Sequence, residues 1–218
     1  MEPEQSSAVV PDPTSAALTP FIEVERVRAL GLASAGPPPY VLEIGFGRGE
    51  LLLTTAREHP ERTFIGLDIS RKRVLKMERR VIRAELPNIR LLHAPAQYVL
   101  ERVLPEASLM ECWIHCPDPW PKKRHHRRRL LQPSVASELA RVLAPDGRLL
   151  LSTDHEPYAE WIHAVLAGEP RFETLFPGAR WSWDPPERPR TAYESEWIAE
   201  GRRIAYFSYR RVAEEPGK

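Results

Sequence analysis

Apolar and polar positions along this chain switch between a strand-like and a helix-like period, regularly from residue 40 onward. Tyr40-Val41-Leu42-Glu43-Ile44 is a short apolar run that stops at Gly45 and predicts a buried strand. Glu50 to His59 has helical spacing, Thr63 to Leu67 predicts a second strand, Ser70 to Glu85 a helix capped by Ser70, and Ile89 to His93 a third strand. Leu109 to Cys116 predicts a fourth strand, Arg128 to Leu143 a helix with Pro133 near its start, and Arg148 to Thr153 a fifth strand. Glu156 to Ala167 continues the helices, Phe176 to Arg190 is a Pro- and Trp-rich loop, and Arg203 to Arg210 predicts a late strand. Such alternation implies an α/β fold: a mostly parallel central sheet with right-handed crossovers and helices on both faces. Ligands in such sheets bind at the carboxyl ends of the strands.

Composition narrows the class. With 42% hydrophobic and 28% charged residues in 218, the chain has the make-up of a folded domain and not of a disordered, collagen-like or disulfide-rich one. Residues 1–20 lack apolar periodicity and are expected to form a disordered tail, leaving 21–218 as a single domain. No run approaches eighteen apolar residues and the chain opens Met-Glu-Pro-Glu, so neither a membrane span nor a signal peptide is expected and the location is read as cytoplasmic. Cys112 and Cys116 are the only cysteines and read as core residues in a reducing compartment. Formal net charge is +1, yet Lys122 to Arg129 holds six cations, and the 25 elsewhere face 30 acids. A focused cationic block on an otherwise acidic chain points to an anionic partner, and nucleic acid is the usual large polyanion.

Candidate chemistry sits at strand ends. Glu43-Ile44-Gly45-Phe46-Gly47-Arg48-Gly49 follows a strand and opens a helix, where Gly45 and Gly47 let backbone N–H groups approach a ligand. Nineteen residues on, Asp68 ends the second strand, placed to accept hydrogen bonds from ribose hydroxyls. The G-x-G-x-G spacing with an acid two residues ahead favours S-adenosylmethionine over a nicotinamide, because Glu43 would repel a pyrophosphate but could orient an ammonium. The bland reading is tight-turn glycines with Asp68 as a helix cap. Pro117-Asp118-Pro119-Trp120-Pro121 is a stiff loop after the fourth strand; Asp118 would face the chemistry, Trp120 offers a stacking face, and the following cations supply phosphate contacts. His125 and His126 read as part of that cationic surface, and no metal site is supported. Asp154 is read either as a site carboxylate at the end of the fifth strand or as the cap of the next helix. Thr191-Ala192-Tyr193-Glu194 reads locally as a capping box.

From Pro117 to His125 the sequence resembles the tRNA (guanine-N7-)-methyltransferase family. The Glu43 to Gly49 turn, Asp68, Thr153-Asp154-His155-Glu156-Pro157-Tyr158-Ala159 and Thr191 to Glu194 follow in that family's order, from about Tyr40 to Arg210. The resemblance implies a Rossmann-like class I methyltransferase fold and transfer of a methyl group from S-adenosylmethionine to N7 of guanine 46 in the tRNA variable loop. It implies that Glu43 and Asp68 bind the cofactor, that Asp118 lies at the reaction centre, and that Lys122, Asp154 and Thr191, Tyr193 and Glu194 contact tRNA. Guanine N7 carries an in-plane lone pair, so no general base is needed and Asp118 is read as an electrostatic and positioning group. Glu194 or Asp154 could accept the two donors of the guanine Watson–Crick edge. Two departures stand out: Leu91 to Gln97 lacks the acid many relatives place near the adenine, and Ser195-Glu196-Trp197 follows where many carry a basic residue. The competing readings are a methyltransferase acting on another RNA atom or an exocyclic amine, and a non-catalytic RNA-binding module. A monomer and a homodimer are equally compatible with the sequence.

Overall fold

A computed structural model of the chain describes residues 21–23, 38–184 and 188–213, so the tail expected over residues 1–20 lies outside the described residues. Strands β1 (Phe21–Glu23), β2 (Tyr40–Ile44), β3 (Phe64–Asp68), β4 (Ile89–His93), β5 (Leu109–His115), β6 (Leu143–Thr153), β7 (Phe172–Thr174) and β8 (Ala205–Arg211) form one sheet. Their order is β1-β4-β3-β2-β5-β6-β8-β7. Neighbours from β1 to β6 are parallel, whereas β8 is antiparallel to β6 and β7. The helices are α1 (Glu50–Glu58), α2 (Arg71–Arg83), α3 (Ala96–Arg102), α4 (Pro133–Val142), α5 (Glu156–Ala167) and α6 (Ala192–Ala199).

Side chains of a strand point alternately to opposite faces, so a central strand must be apolar at both parities. Leu42, Ile65, Leu67, Cys112 and Ile114 pack with Val99 of α3, Leu139 of α4 and Ile162 of α5. Val41, Phe64, Leu91 and Trp113 pack on the other face with Leu52 of α1 and Met77 of α2. The expected α/β architecture with helices on both faces is what forms. The chain runs outward from β2 through β3 to β4, then returns to β5 and β6 on the other side. The strand order therefore reverses at β2, and the crevice beyond the carboxyl ends of β2 and β5 is where this topology puts ligands.

Several local expectations change. Ser70 precedes α2, but its hydroxyl makes no capping bond; its N–H donates to Asp68 Oδ1 at 2.7 Å instead. The helix expected from Arg128 starts at Pro133, because proline lacks the N–H and fits only the first turn; Lys123–Arg128 forms a separate 3-10 turn. Strand β6 begins upstream of Arg148 and swallows a Pro145-Asp146-Gly147 turn, so that Leu109 pairs with Leu143 but Glu111 pairs with Arg148. Asp154 does not cap α5; His155 does, its Nδ1 accepting from the Tyr158 N–H at 3.2 Å.

Candidate active site

The turn after β2 holds Gly45, Gly47 and Gly49 in the left-handed region, at φ of 75°, 54° and 74°. A Cβ on Gly49 would lie 2.5 Å from Met77 Sδ, the flexible end of that side chain, so the left-handed φ of 74° is what calls for glycine where α1 starts. A Cβ on Gly47 would lie 3.0 Å from the Tyr193 ring, which therefore rests on the turn. Between them opens a small cleft. Its floor is Glu43 and the glycine turn, His115 at the end of β5 forms a wall, and Thr191, Ala192 and Tyr193 of the α6 N-terminus form the roof. The roof is tied down twice: Arg48 pairs with Glu196 at 2.7 Å, and Arg202 with Asp154 at 2.9 Å.

Glu43 is 2% exposed, and its Oε2 is out of solvent and without a partner among the described residues. Burial pushes the carboxyl up to about 8; Arg188 opposes this, while Glu194, Glu50 and Asp68 add to it. Behind the roof, Arg188 makes two bonds to Glu194, Nη2 to Oε1 at 2.7 Å and Nη1 to Oε2 at 3.0 Å, with neither side chain appreciably exposed. The Thr191 N–H donates to Glu194 Oε2 at 2.7 Å, and Thr191 Oγ1 accepts from the Glu194 N–H at 3.2 Å. The capping box read from the local sequence is thus formed. Against the burial that would raise it, hydrogen bonds from Arg188 and Thr191 hold the Glu194 carboxyl down at about 2. Arg188 also reaches His115: its Nη2 lies 3.3 Å from His115 Nδ1, which is 3.2 Å from Ser152 Oγ. Burial, with Arg188 beside it, drives the imidazole down to about 3.

Of the residues singled out in the sequence, Glu43, Gly45, Gly47, Thr191 and Tyr193 come together in the cleft, whereas Asp68, Asp118, Lys122 and Asp154 stand outside it. Asp68 is 3% exposed, accepts from the Ser70 N–H, and lies 3.5 Å from Arg73. Asp118 is exposed on the loop after β5, and the two residues flanking its proline pair, Cys116 and Trp120, adopt φ of 50° and 44°. Positive φ is costly for such residues and clusters where function imposes it. Glu194 departs furthest from an open site carboxylate: at 0% exposure, its Oε1 accepts from Arg188 and its Oε2 from Arg188 and the Thr191 N–H.

The cationic run also splits. Lys122 is exposed, but Arg129 is 3% exposed, packs over Tyr158 and Trp161, and its Nε donates to the Pro119 carbonyl at 2.9 Å. It braces the Asp118 loop and contacts no phosphate from there. Arg128 lies 5.1 Å over the Trp120 ring and His125 meets its edge, so that stacking surface is already partly covered. Sequence reasoning missed His115 and Arg188. Among the described residues there is no cluster of three potential metal ligands and no helix long and apolar enough to cross a membrane.

Sheet order and cleft together are those of a class I methyltransferase. The 16S rRNA methyltransferase KamB shares the fold with a TM-score of 0.60 at 18% identity, over 87% of this chain and 92% of that one. The antibiotic-resistance methyltransferase Kmr does so with a TM-score of 0.57 at 18% identity, over 86% and 94%. A family model described as "Putative methyltransferase" matches residues 37–207. Closer in sequence is the tRNA (guanine-N(7)-)-methyltransferase of Nitrosococcus oceani, 42% identical over 78% of this chain and 71% of the relative. The enzymes of the same name from Alkalilimnicola ehrlichii and Streptomyces coelicolor are 41% and 37% identical, over 82% and 88% of this chain and 75% and 70% of the relatives. The chain belongs to the tRNA (guanine-N7-)-methyltransferase family.

Proposed function

We propose that this chain transfers a methyl group from S-adenosylmethionine to N7 of a guanine in tRNA, guanine 46 of the variable loop, in the cytoplasm. The observation that carries the reading is the likeness to enzymes named for that reaction across some four-fifths of the chain. The cleft fits the cofactor. Glu43 has a buried, unpartnered carboxyl oxygen suited to an ammonium, the glycine turn admits close backbone approach, and Ile69, 70% exposed beside Asp68, offers an apolar surface to a nucleoside. Glu43, Gly45 and Gly47 would hold the methionyl end, and Asp68 the ribose. The bound cofactor supplies a methyl group on a positively charged sulfonium.

The chain's own residues then have modest chemical tasks. Because N7 attacks through a free lone pair, none of them must remove a proton first. Asp118, on a loop stiffened by prolines and braced by Arg129, provides a fixed negative charge where the methylated ring becomes positive. Lys122 positions the RNA backbone, and Asp154 and Tyr193 line the approach of the base. Extruding a base from tertiary structure costs a few kcal/mol, which stacking around Trp120 would partly offset. Glu194 enters only as the anchor of Arg188 and of the α6 cap.

Methyl transfer from labelled S-adenosylmethionine to an unmodified tRNA transcript, followed by borohydride and aniline cleavage, tests the reading. Cleavage in the variable loop is expected, with turnover falling about 10²- to 10³-fold in Asp118→Ala and less in Asp118→Asn. Label without cleavage would move the target to another atom. Binding without label would leave a non-catalytic RNA-binding module.

A further inference from the structure

Two buried polar atoms on the cleft residues have no partner among the described residues: Glu43 Oε2 and His115 Nε2. Their characters are opposite, and the neighbours of His115 decide this. A guanidinium can only donate, so His115 Nδ1, facing Arg188 Nη2 at 3.3 Å, is the accepting nitrogen. The ring is neutral, so its hydrogen sits on Nε2, and the cleft holds an unmade donor together with a carboxyl that becomes an acceptor once it gives up its proton to an incoming cation. The two come from adjacent strands: Glu43 pairs with Trp113, and His115 follows two residues later on the same side of the sheet.

Unpaired buried donors and acceptors are disfavoured unless something completes them. A group carrying a cationic donor and an anionic acceptor on one carbon would satisfy both, and that is the α-amino-acid end of a ligand. The other cation of the cleft, Arg48, is half exposed and already engaged by Glu196. We infer that His115 is a positioning residue whose Nε2–H holds the carboxylate of the methionyl end of S-adenosylmethionine, while Glu43 takes its ammonium. This rests on the reading of the cleft as the cofactor site. Arg188, locked by Glu194, and Ser152 set the tautomer from behind. Arg188, which is bonded to Glu194 in the first turn of α6, thereby also fixes which nitrogen of His115 donates.

The test is calorimetric binding by the full chain of three nucleosides: S-adenosylhomocysteine, with both amine and carboxylate; decarboxylated S-adenosylmethionine, with the amine alone; and 5′-methylthioadenosine, with neither. His115→Phe should weaken S-adenosylhomocysteine about 10- to 100-fold, the range of one hydrogen bond to a charged group, and leave the other two within about twofold. His115→Gln, which keeps an N–H at similar reach, should recover most of the loss. In turnover, His115→Phe should raise KM for S-adenosylmethionine with little change in kcat. Equal losses on S-adenosylhomocysteine and the decarboxylated ligand would overturn the assignment, as would unchanged S-adenosylhomocysteine affinity with impaired tRNA turnover. If both variants lose 5′-methylthioadenosine as well, His115 supports the fold and the assignment fails. If the unaltered protein binds none of the three, it is the cofactor reading of the cleft that fails.

Discussion

Glu43 in the floor of the cleft and Glu194 behind its roof are buried to the same degree, at 2% and 0% exposure, yet their carboxyls are driven in opposite directions, to about 8 and to about 2. Burial is common to both and penalises charge in both. Partners make the difference. Glu194 has a bidentate arginine and a backbone N–H, whereas Glu43 has an oxygen that nothing among the described residues satisfies. A carboxylate completed within its own chain is a structural element, and one left incomplete is prepared for a ligand. The resemblance to the family implies ligand roles for both, and their pairing within the chain differs.

Breaking the completed pair should have the largest effect. Arg188→Ala leaves Glu194 buried and alone, a change that costs about 3–5 kcal/mol when a buried pair loses one member. For a chain of this length each kcal/mol moves Tm by about 2–4 °C, so melting near pH 7 should fall by roughly 6–20 °C. The pH dependence carries the sign. With its folded value below the unfolded one, Glu194 stabilises the intact protein above about pH 4 and loses that contribution as pH falls toward 2. In Arg188→Ala the carboxyl moves above its unfolded value, so the deficit should be widest at neutral pH and shrink toward pH 3. A variant that melts like the parent at every pH would mean that the pair holds nothing.

The completed pair also marks how far the sequence alone reaches. Strand β2, the glycine turn and Glu43 were legible because they are contiguous: an apolar run, a stop and three glycines within ten residues. The capping box of Thr191 and Glu194 was legible for the same reason, being a pattern four residues long. His115 was not, since a residue in a buried strand reads as core, and only the end of β5 reveals that its side chain reaches a cleft. Arg188 was still less accessible. It comes from a proline-rich loop and meets His115 across 73 residues of chain, a contact with no periodic or local signature. Arg129 was misread with its neighbours because a charge run gives no hint that its last member turns inward onto Tyr158 and Trp161.

The incomplete member should respond in the other direction. A carboxyl whose folded value is raised stabilises the fold fully below the unfolded value near 4.5, and that contribution is lost as pH rises through about 8. Glu43→Gln keeps the shape and removes the titration. It should match the parent in stability below about pH 4 and exceed it at pH 9 by on the order of 5 kcal/mol, while binding S-adenosylhomocysteine more weakly at all pH values. In the parent, capturing an ammonium requires the ionised carboxyl, so binding at pH 7 should release close to one proton, measurable by titration in buffers of different ionisation enthalpy. No release and parallel stability profiles would show that Glu43 is already charged in the free cleft, and the contrast with Glu194 would collapse.

The smallest effect sharpens the comparison from the side of the cap. Thr191 contributes twice to Glu194: its Oγ1 accepts the Glu194 N–H, and its own N–H donates to Oε2. Thr191→Ala deletes the first and keeps the second, so the Arg188–Glu194 pair and its pH profile should survive while α6 loses only its cap. A lost cap is worth about 1 kcal/mol, or about 2–4 °C in Tm here, and Thr191→Ser should restore it. Because the resemblance also implies that this residue touches tRNA, turnover at 25 °C, well below melting, separates the two roles. A hydroxyl that only caps leaves kcat/KM for tRNA unchanged in Thr191→Ala. A fall there, with unaltered affinity for S-adenosylhomocysteine, would assign the hydroxyl to the substrate and make the roof of the cleft a part of RNA recognition.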